Sequence, residues 1–205
     1  MPNWCENILE ISGPAEDIKR FKEFAGSEEN ECLDANKFIP YPEEYKKQDE
    51  IVGNMREKED ALREMADYNK MDSYQQRYFD FKNPRNSWNM KDGYNSGGYE
   101  WNINNWGSKW NFCQPELFDE GETHLWYSFE SAWSPLCQVI IKMAEMFPTL
   151  SFVYKYAEPG VGFAGMLRCK NGETVEDVSY DWNMKNESFL ELAKELLGDN
   201  FFDED

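Results

Sequence analysis

The segment NINNWGSKWN, residues 102–111, interleaves Trp106 and Trp110 with four asparagines, Gly107 and Lys109. Indole is costly to leave in water and an amide is costly to bury unpaired, so such a stretch must either fold back on itself or meet a ligand. Trp4 and Trp133 also stand beside small or polar residues. Together with Trp106, Trp110, Lys109 and the polar groups Asn7, Asn105 and Glu158, they compose a candidate binding site at one end of a sheet, with indole faces offered to a flat ligand. The competing reading is a structural aromatic cluster in which asparagines bond bent backbone, and it is preferred because rings more often fill a core than line a ligand box.

Other chemistry is thinly supplied. The sequence begins Met1-Pro2, and a free Pro2 amine could act as a base, as in small tautomerases. No nearby cation would lower its pKa. His124 is the one histidine, so every Ser-His or Cys-His scheme must use it. The five cysteines, Cys5, Cys32, Cys113, Cys137 and Cys169, are far apart, with no CxxC pair and no His-Cys spacing for zinc. No calcium loop is present. We assign no catalytic residue, and we expect neither metal nor cofactor.

Forty acidic residues against 21 basic leave a net charge of -19, which argues against direct binding to nucleic-acid backbones. Runs such as 28–31, 57–60 and 119–122 could present carboxylates to a basic partner, as an acidic nucleic-acid mimic would. The bland reading of the same charge is solubility. Unpaired cysteines fit a reducing cytoplasm. No run reaches the roughly 18 apolar residues of a membrane helix, and the first residues lack a signal-peptide pattern.

These groups need elements to hold them. Asn7–Ser12 reads as a strand and Gly13-Pro14 as a helix start, with Ile18, Phe21, Phe24 and Ala25 on one helical face. Leu125, Tyr127 and Phe129 alternate in a second strand region. Ser134-Pro135 should then cap a helix carrying Leu136, Val139, Ile140, Met143, Ala144 and Phe147, and Phe152, Tyr154 and Tyr156 alternate after it. Residues 43–70 read as a solvated helix with pairs such as Glu59–Arg63, and 83–105 as a long loop whose Trp88, Tyr94, Tyr99 and Trp101 are candidate interface anchors. Asn171-Gly172 predicts a hairpin after a strand from 162 to 170. A helix over 187–197 precedes an acidic tail at 201–205.

With a strand near 109–114, the order becomes β-α-β-β-α-β: an α+β, ferredoxin-like antiparallel sheet with helices on one face, extended by the hairpin. We expect one domain, 1–205, with an insertion at about 43–104 and a C-terminal helix and tail at about 187–205. Met1-Pro2-Asn3-Trp4-Cys5 with Asn7, Asn105-Trp106-Gly107 with Lys109-Trp110, Ala132-Trp133-Ser134-Pro135, and Glu158-Pro159-Gly160 with Phe163-Ala164-Gly165 carry a resemblance. In these landmarks the chain resembles the YubB ferredoxin-like domain family, uncharacterised proteins of phages and plasmids. That resemblance implies a mobile-element origin and supplies no catalytic residues. The expected function is therefore a non-catalytic protein-binding accessory protein whose partner is a host or mobile-element protein. The alternatives are a small-ligand site or enzyme using the aromatic pocket or Pro2, and the acidic mimic. Oligomeric state is left open.

Overall fold

The structure, a computed structural model, describes residues 3–28 and 30–198. Pro2, Glu29 of the run 28–31, and the acidic tail 201–205 lie outside the described residues. The chain divides into two compact units: residues 1–40 with 101–205, and residues 41–100.

The first unit is built on a six-stranded sheet of order β2-β3-β1-β4-β5-β6, with every pair antiparallel. In chain order the elements are β1 (Trp4–Ser12), α1 (Ala15–Ala25), β2 (Cys113–Gly121), β3 (His124–Ala132), α5 (Cys137–Met146), β4 (Ser151–Glu158), β5 (Phe163–Lys170), β6 (Glu173–Asp181) and α6 (Glu187–Leu197). The first four strands, ordered β2-β3-β1-β4 around two helices, make the ferredoxin-like β-α-β-β-α-β core, and the β5–β6 hairpin widens it. That hairpin turns at Asn171-Gly172, both at positive φ as its type requires.

Alternation sets the faces. Cys5, Asn7, Leu9 and Ile11 of β1 are buried beside Leu125, Tyr127 and Phe129 of β3 and Phe152, Tyr154 and Tyr156 of β4. This face receives α1 through Ile18, Phe21 and Ala25, and α5 through Val139, Ile140, Met143 and Ala144. Phe21 is the hinge of the core: its ring meets Phe147 edge-on at 5.1 Å and Phe152 at 5.8 Å. Burial of a ring of this size contributes about 1.5–3 kcal/mol. On the opposite face, α6 packs Phe189 and Ala193 against Ala157 and Ala164. Lys155 ties this helix to β1 by bonding Glu195 at 2.6 Å and Glu10 at 2.8 Å.

Three sequence expectations need correction in this unit. The strand placed at 109–114 is β2, Cys113–Gly121, whose hydrophobic alternation is thinned by Pro115, Asp119 and Glu120 and broken by two register shifts. Residues 102–106, read as loop, form the end of α4 (Gly98–Trp106). The asparagines there serve a helix, since Asn105 Nδ2 bonds the Trp101 carbonyl one turn back at 2.8 Å. Finally, Ser134 does not cap α5; its hydroxyl donates to the Gly107 carbonyl at 2.6 Å, and α5 starts from Leu136 without a side-chain cap.

In the second unit, α2 (Glu43–Met65) and α3 (Ser73–Lys82) are the main elements. The reading of one helix to residue 70 is corrected by a left-handed Asp67, followed by the short turn Tyr68–Lys70. Asp72 and Gln75 form a capping box that starts α3. Residues 83–97 are not a plain loop either, but carry short turns at Asn86–Asn89 and Tyr94–Ser96. Polar bonds hold α2 to α3. Arg63 reaches Asp80 at 3.0 Å with its guanidinium over the Tyr68 and Phe79 rings, and Tyr68 OH donates to Asp80 at 2.8 Å. The Glu59–Arg63 side-chain pair is replaced: the Glu59 carboxylate accepts from Ser87 instead.

Candidate functional site

Four of the sequence landmarks converge at one end of the sheet. Trp4 opens β1 opposite Ala132 at the end of β3, and the Trp133 amide donates to the Asn3 carbonyl at 3.0 Å. Segment 107–110 is tied to the same place by Ser108 Oγ on the Ala132 carbonyl at 3.2 Å and by the Ser134–Gly107 bond. Gly107, at φ 88°, is a position that strains any other residue, and an added Cβ would fall 2.8 Å from the Pro135 carbonyl oxygen. The turn it makes brings the Trp110 ring to 5.9 Å from Trp4, with Lys109 Nζ 4.3 Å over Trp110. Trp133 is 44% exposed and sits at φ 70°, a left-handed conformation that is costly for a bulky residue.

Other residues of this group are held within the fold. Trp106 is buried, donates Nε1–H to the Ile39 carbonyl at 2.8 Å and meets Trp101 edge-on at 5.6 Å. Asn7 is buried in the core. Its amide donates to the Cys5 and Phe129 carbonyls and to Ser131 Oγ at 2.6–3.1 Å, and its Oδ1 accepts from Tyr154 OH at 2.6 Å. Tyr154 OH in turn accepts from the Leu136 amide at 3.0 Å, so one network joins β1, β4 and the start of α5. Glu158 is also buried, and its carboxylate holds the following turn by accepting from the Gly160 and Val161 amides.

His124 Nε2 lies 3.2 Å from Asp119 beside the β2–β3 turn. Burial pushes the Cys137 thiol up to about 12 and the Cys5 thiol higher still, which suits packed side chains and not thiolate nucleophiles. Among the described residues, no three His, Cys, Asp or Glu side chains are grouped as a metal would need. No helix among them is long and apolar enough to cross a membrane.

Glu6 stands directly opposite Glu130 in the β1–β3 register. Burial, and then the Glu130 charge, hold the Glu6 carboxyl above its ordinary range. A carboxylate raised in the fold stabilises it only while protonated, and that contribution fades as pH rises from the unfolded value of about 4.3 through the raised one. Glu6→Gln should therefore raise the Tm at pH 7 by roughly 1–3 °C, from about 0.2–1 kcal/mol for a relieved cross-strand repulsion. The gain should vanish below about pH 4, and thermal melts at both pH values check it.

In the second unit the candidate anchors lie in different surroundings. Trp88 is 71% exposed, with the Arg85 guanidinium 4.7 Å over its ring. Tyr94 and Tyr99 instead pack edge-on at 5.7 Å, and Tyr94 N–H donates to Asp49. A stronger feature escaped the sequence reading: Tyr74 and Phe81, 79% and 80% exposed, line one side of α3 with Tyr78. With Met71 and Phe79 nearby, a groove of about 330 Å³ opens along Tyr74, Tyr78 and Lys82. The signal was present in SYQQRYFDFK, where positions 74, 78 and 81 share a helical face.

With the sheet order and core established, the chain carries a ferredoxin-like α+β domain. Residues 107–196 match the family model described as a ferredoxin-like domain in Api92-like protein. The crystal structure of protein api92 from Yersinia pseudotuberculosis is similar with a TM-score of 0.50 at 11% identity, over 89% of this chain and 99% of that one. This likeness concerns the fold. No curated protein matches.

Proposed function

We propose that the protein is a non-catalytic, protein-binding accessory protein of a phage or other mobile element, akin to the YubB ferredoxin-like proteins, and that it works in the cytoplasm. The observation that carries this reading is the row of exposed rings at Tyr74, Tyr78 and Phe81 along α3, with Trp88 a further exposed ring of the same unit. Monomeric proteins seldom leave neighbouring large apolar groups in water, and Tyr and Trp are the residues that anchor interfaces. The groove beside them is open and mainly apolar, as the core of a protein interface would need.

The test is a pull-down from bacterial lysate with wild type and a Tyr74→Ser/Phe81→Ser/Trp88→Ala variant, read by mass spectrometry. Because these side chains are exposed, the variant should melt within about 2 °C of wild type. A stoichiometric partner held by wild type and lost at least tenfold by the variant is the expected result. Equal capture by both proteins, or no partner at all, would turn attention to a small ligand at Trp4, Trp110 and Trp133.

A further inference from the structure

Among the described residues, about half of one sheet face in the first unit, over β2 and β3, carries no helix. The helix α6 covers that face over β4 and β5, where Phe189 and Ala193 pack on Ala157 and Ala164, and it reaches β1 through Lys155, which bonds both Glu195 and Glu10. On β2, β3 and β1 the same face presents Glu6 opposite Glu130, Ile8 opposite Ser128, and Trp126 opposite Glu10, with Glu116 and Asp119 one strand further out. Trp126 is 39% exposed. This surface therefore mixes apolar rings and side chains with carboxylates.

Its charge is only partly offset, since Lys155 holds Glu10 and His124 lies 3.2 Å from Asp119. Residues 1–40 and 101–205 hold 27 Asp and Glu against 11 Lys and Arg, so nearly all of the chain's negative charge belongs to this unit. Among the described residues no Lys or Arg pairs with Glu6 or Glu130, and Lys155, on the same face, is shared between Glu10 and Glu195. Two carboxylates facing each other across a strand pair destabilise the sheet unless a cation is supplied.

The width of the open half also limits what can fill it. Six strands about 4.8 Å apart span roughly 24 Å, and a helix with its side chains is about 10–12 Å across. With α6 packed on β4 and flanked by β5 and β1, the part left beside it, over β2 and β3, is about one helix wide. We propose that the open half of this face seats a basic amphipathic helix of a partner protein, with its apolar side on Ile8 and Trp126 and its Lys or Arg residues on the Glu6–Glu130 pair. This surface is distinct from the exposed rings of α3, and the inference stands without them.

The probe is a labelled 18-residue Leu/Lys amphipathic peptide, with its Leu/Glu counterpart as control, titrated by fluorescence anisotropy at moderate salt. Glu6→Gln/Glu130→Gln is compared with Glu16→Gln/Glu23→Gln on α1, which removes the same charge elsewhere. The expected result is binding of the Leu/Lys peptide alone, weakened at least tenfold by the first pair and less than twofold by the second. Trp126→Ala, which leaves the charge unchanged, should weaken it several-fold. Equal losses in the two charge pairs would reduce the effect to general attraction and overturn the proposal. So would absence of binding, or self-association through this face that the peptide cannot displace in sedimentation velocity.

Discussion

Replacing Trp106 by alanine should lower the Tm by roughly 6–20 °C. The indole is buried, its N–H is satisfied by the Ile39 carbonyl, and its ring braces Trp101. Truncating a buried Trp costs about 3–5 kcal/mol through lost burial and the cavity left behind. In a chain of this length each kcal/mol is worth about 2–4 °C. The orphaned Ile39 carbonyl adds to the loss. Trp88→Ala is the matched control, since that ring is exposed and its removal should cost less than about 0.5 kcal/mol. Thermal melts of the two variants decide between a structural and a ligand-binding Trp106: a melting temperature unchanged in Trp106→Ala would mean the indole is not holding the fold.

The second large effect belongs to the buried amide of β1. Asn7→Ala leaves the Tyr154 hydroxyl without its acceptor and removes a donor from Ser131 and from two carbonyls, all in the core. Stranding buried polar groups costs about 1–3 kcal/mol each when no water can replace the partner. A total loss of about 2–4 kcal/mol, or roughly 4–15 °C, is expected. Tyr154→Phe breaks the same network from the other side, and frees the Leu136 amide at the start of α5. Because both changes cut one shared bond, the double variant should be less destabilised than the sum by about 1 kcal/mol. Strict additivity in denaturant unfolding would show that the two side chains do not act as a unit.

Much of the fold was legible because strands and helices of the first unit obey simple periods. Leu125, Tyr127 and Phe129 alternate, Ile18, Phe21 and Ala25 recur at helical spacing, and Asn171-Gly172 names its own turn. Composition misled where side chains serve a helix from unusual positions. Asn102 and Asn105 look like loop residues, yet they bond the Lys109 and Trp101 carbonyls and so close the end of α4. β2 was misplaced because its acidic outer positions dilute the alternation. Of the candidate site, the convergence of Trp4, Trp110 and Trp133 was readable, whereas Asn7 and Glu158 gave no sign of their burial. A polar residue looks the same in sequence whether its partners are water or backbone. Tyr74, Tyr78 and Phe81 were missed for the opposite reason: an apolar stripe on a helix suggests a core, and only the fold shows that nothing described in its own unit buries it.

The position of β1 at the centre of the sheet has a consequence for how the chain is made. Its partners are remote, Asn7 standing opposite Phe129 and Tyr156. At a synthesis rate of about 5–20 residues per second, β1 waits roughly 6–24 s before β3 has emerged to pair with it. An unpaired, apolar strand held that long invites pairing with other nascent chains. Glu6 and Glu10 interrupt β1 on every second turn of its pleat, and like charges repel when two copies meet. The carboxylates that strain the finished sheet thus guard the strand during its exposure. A chain with Glu6 alone replaced by glutamine should fold to a more stable product in dilute refolding, yet yield less of it from a crowded cell, whereas Glu10 also serves the finished sheet through Lys155.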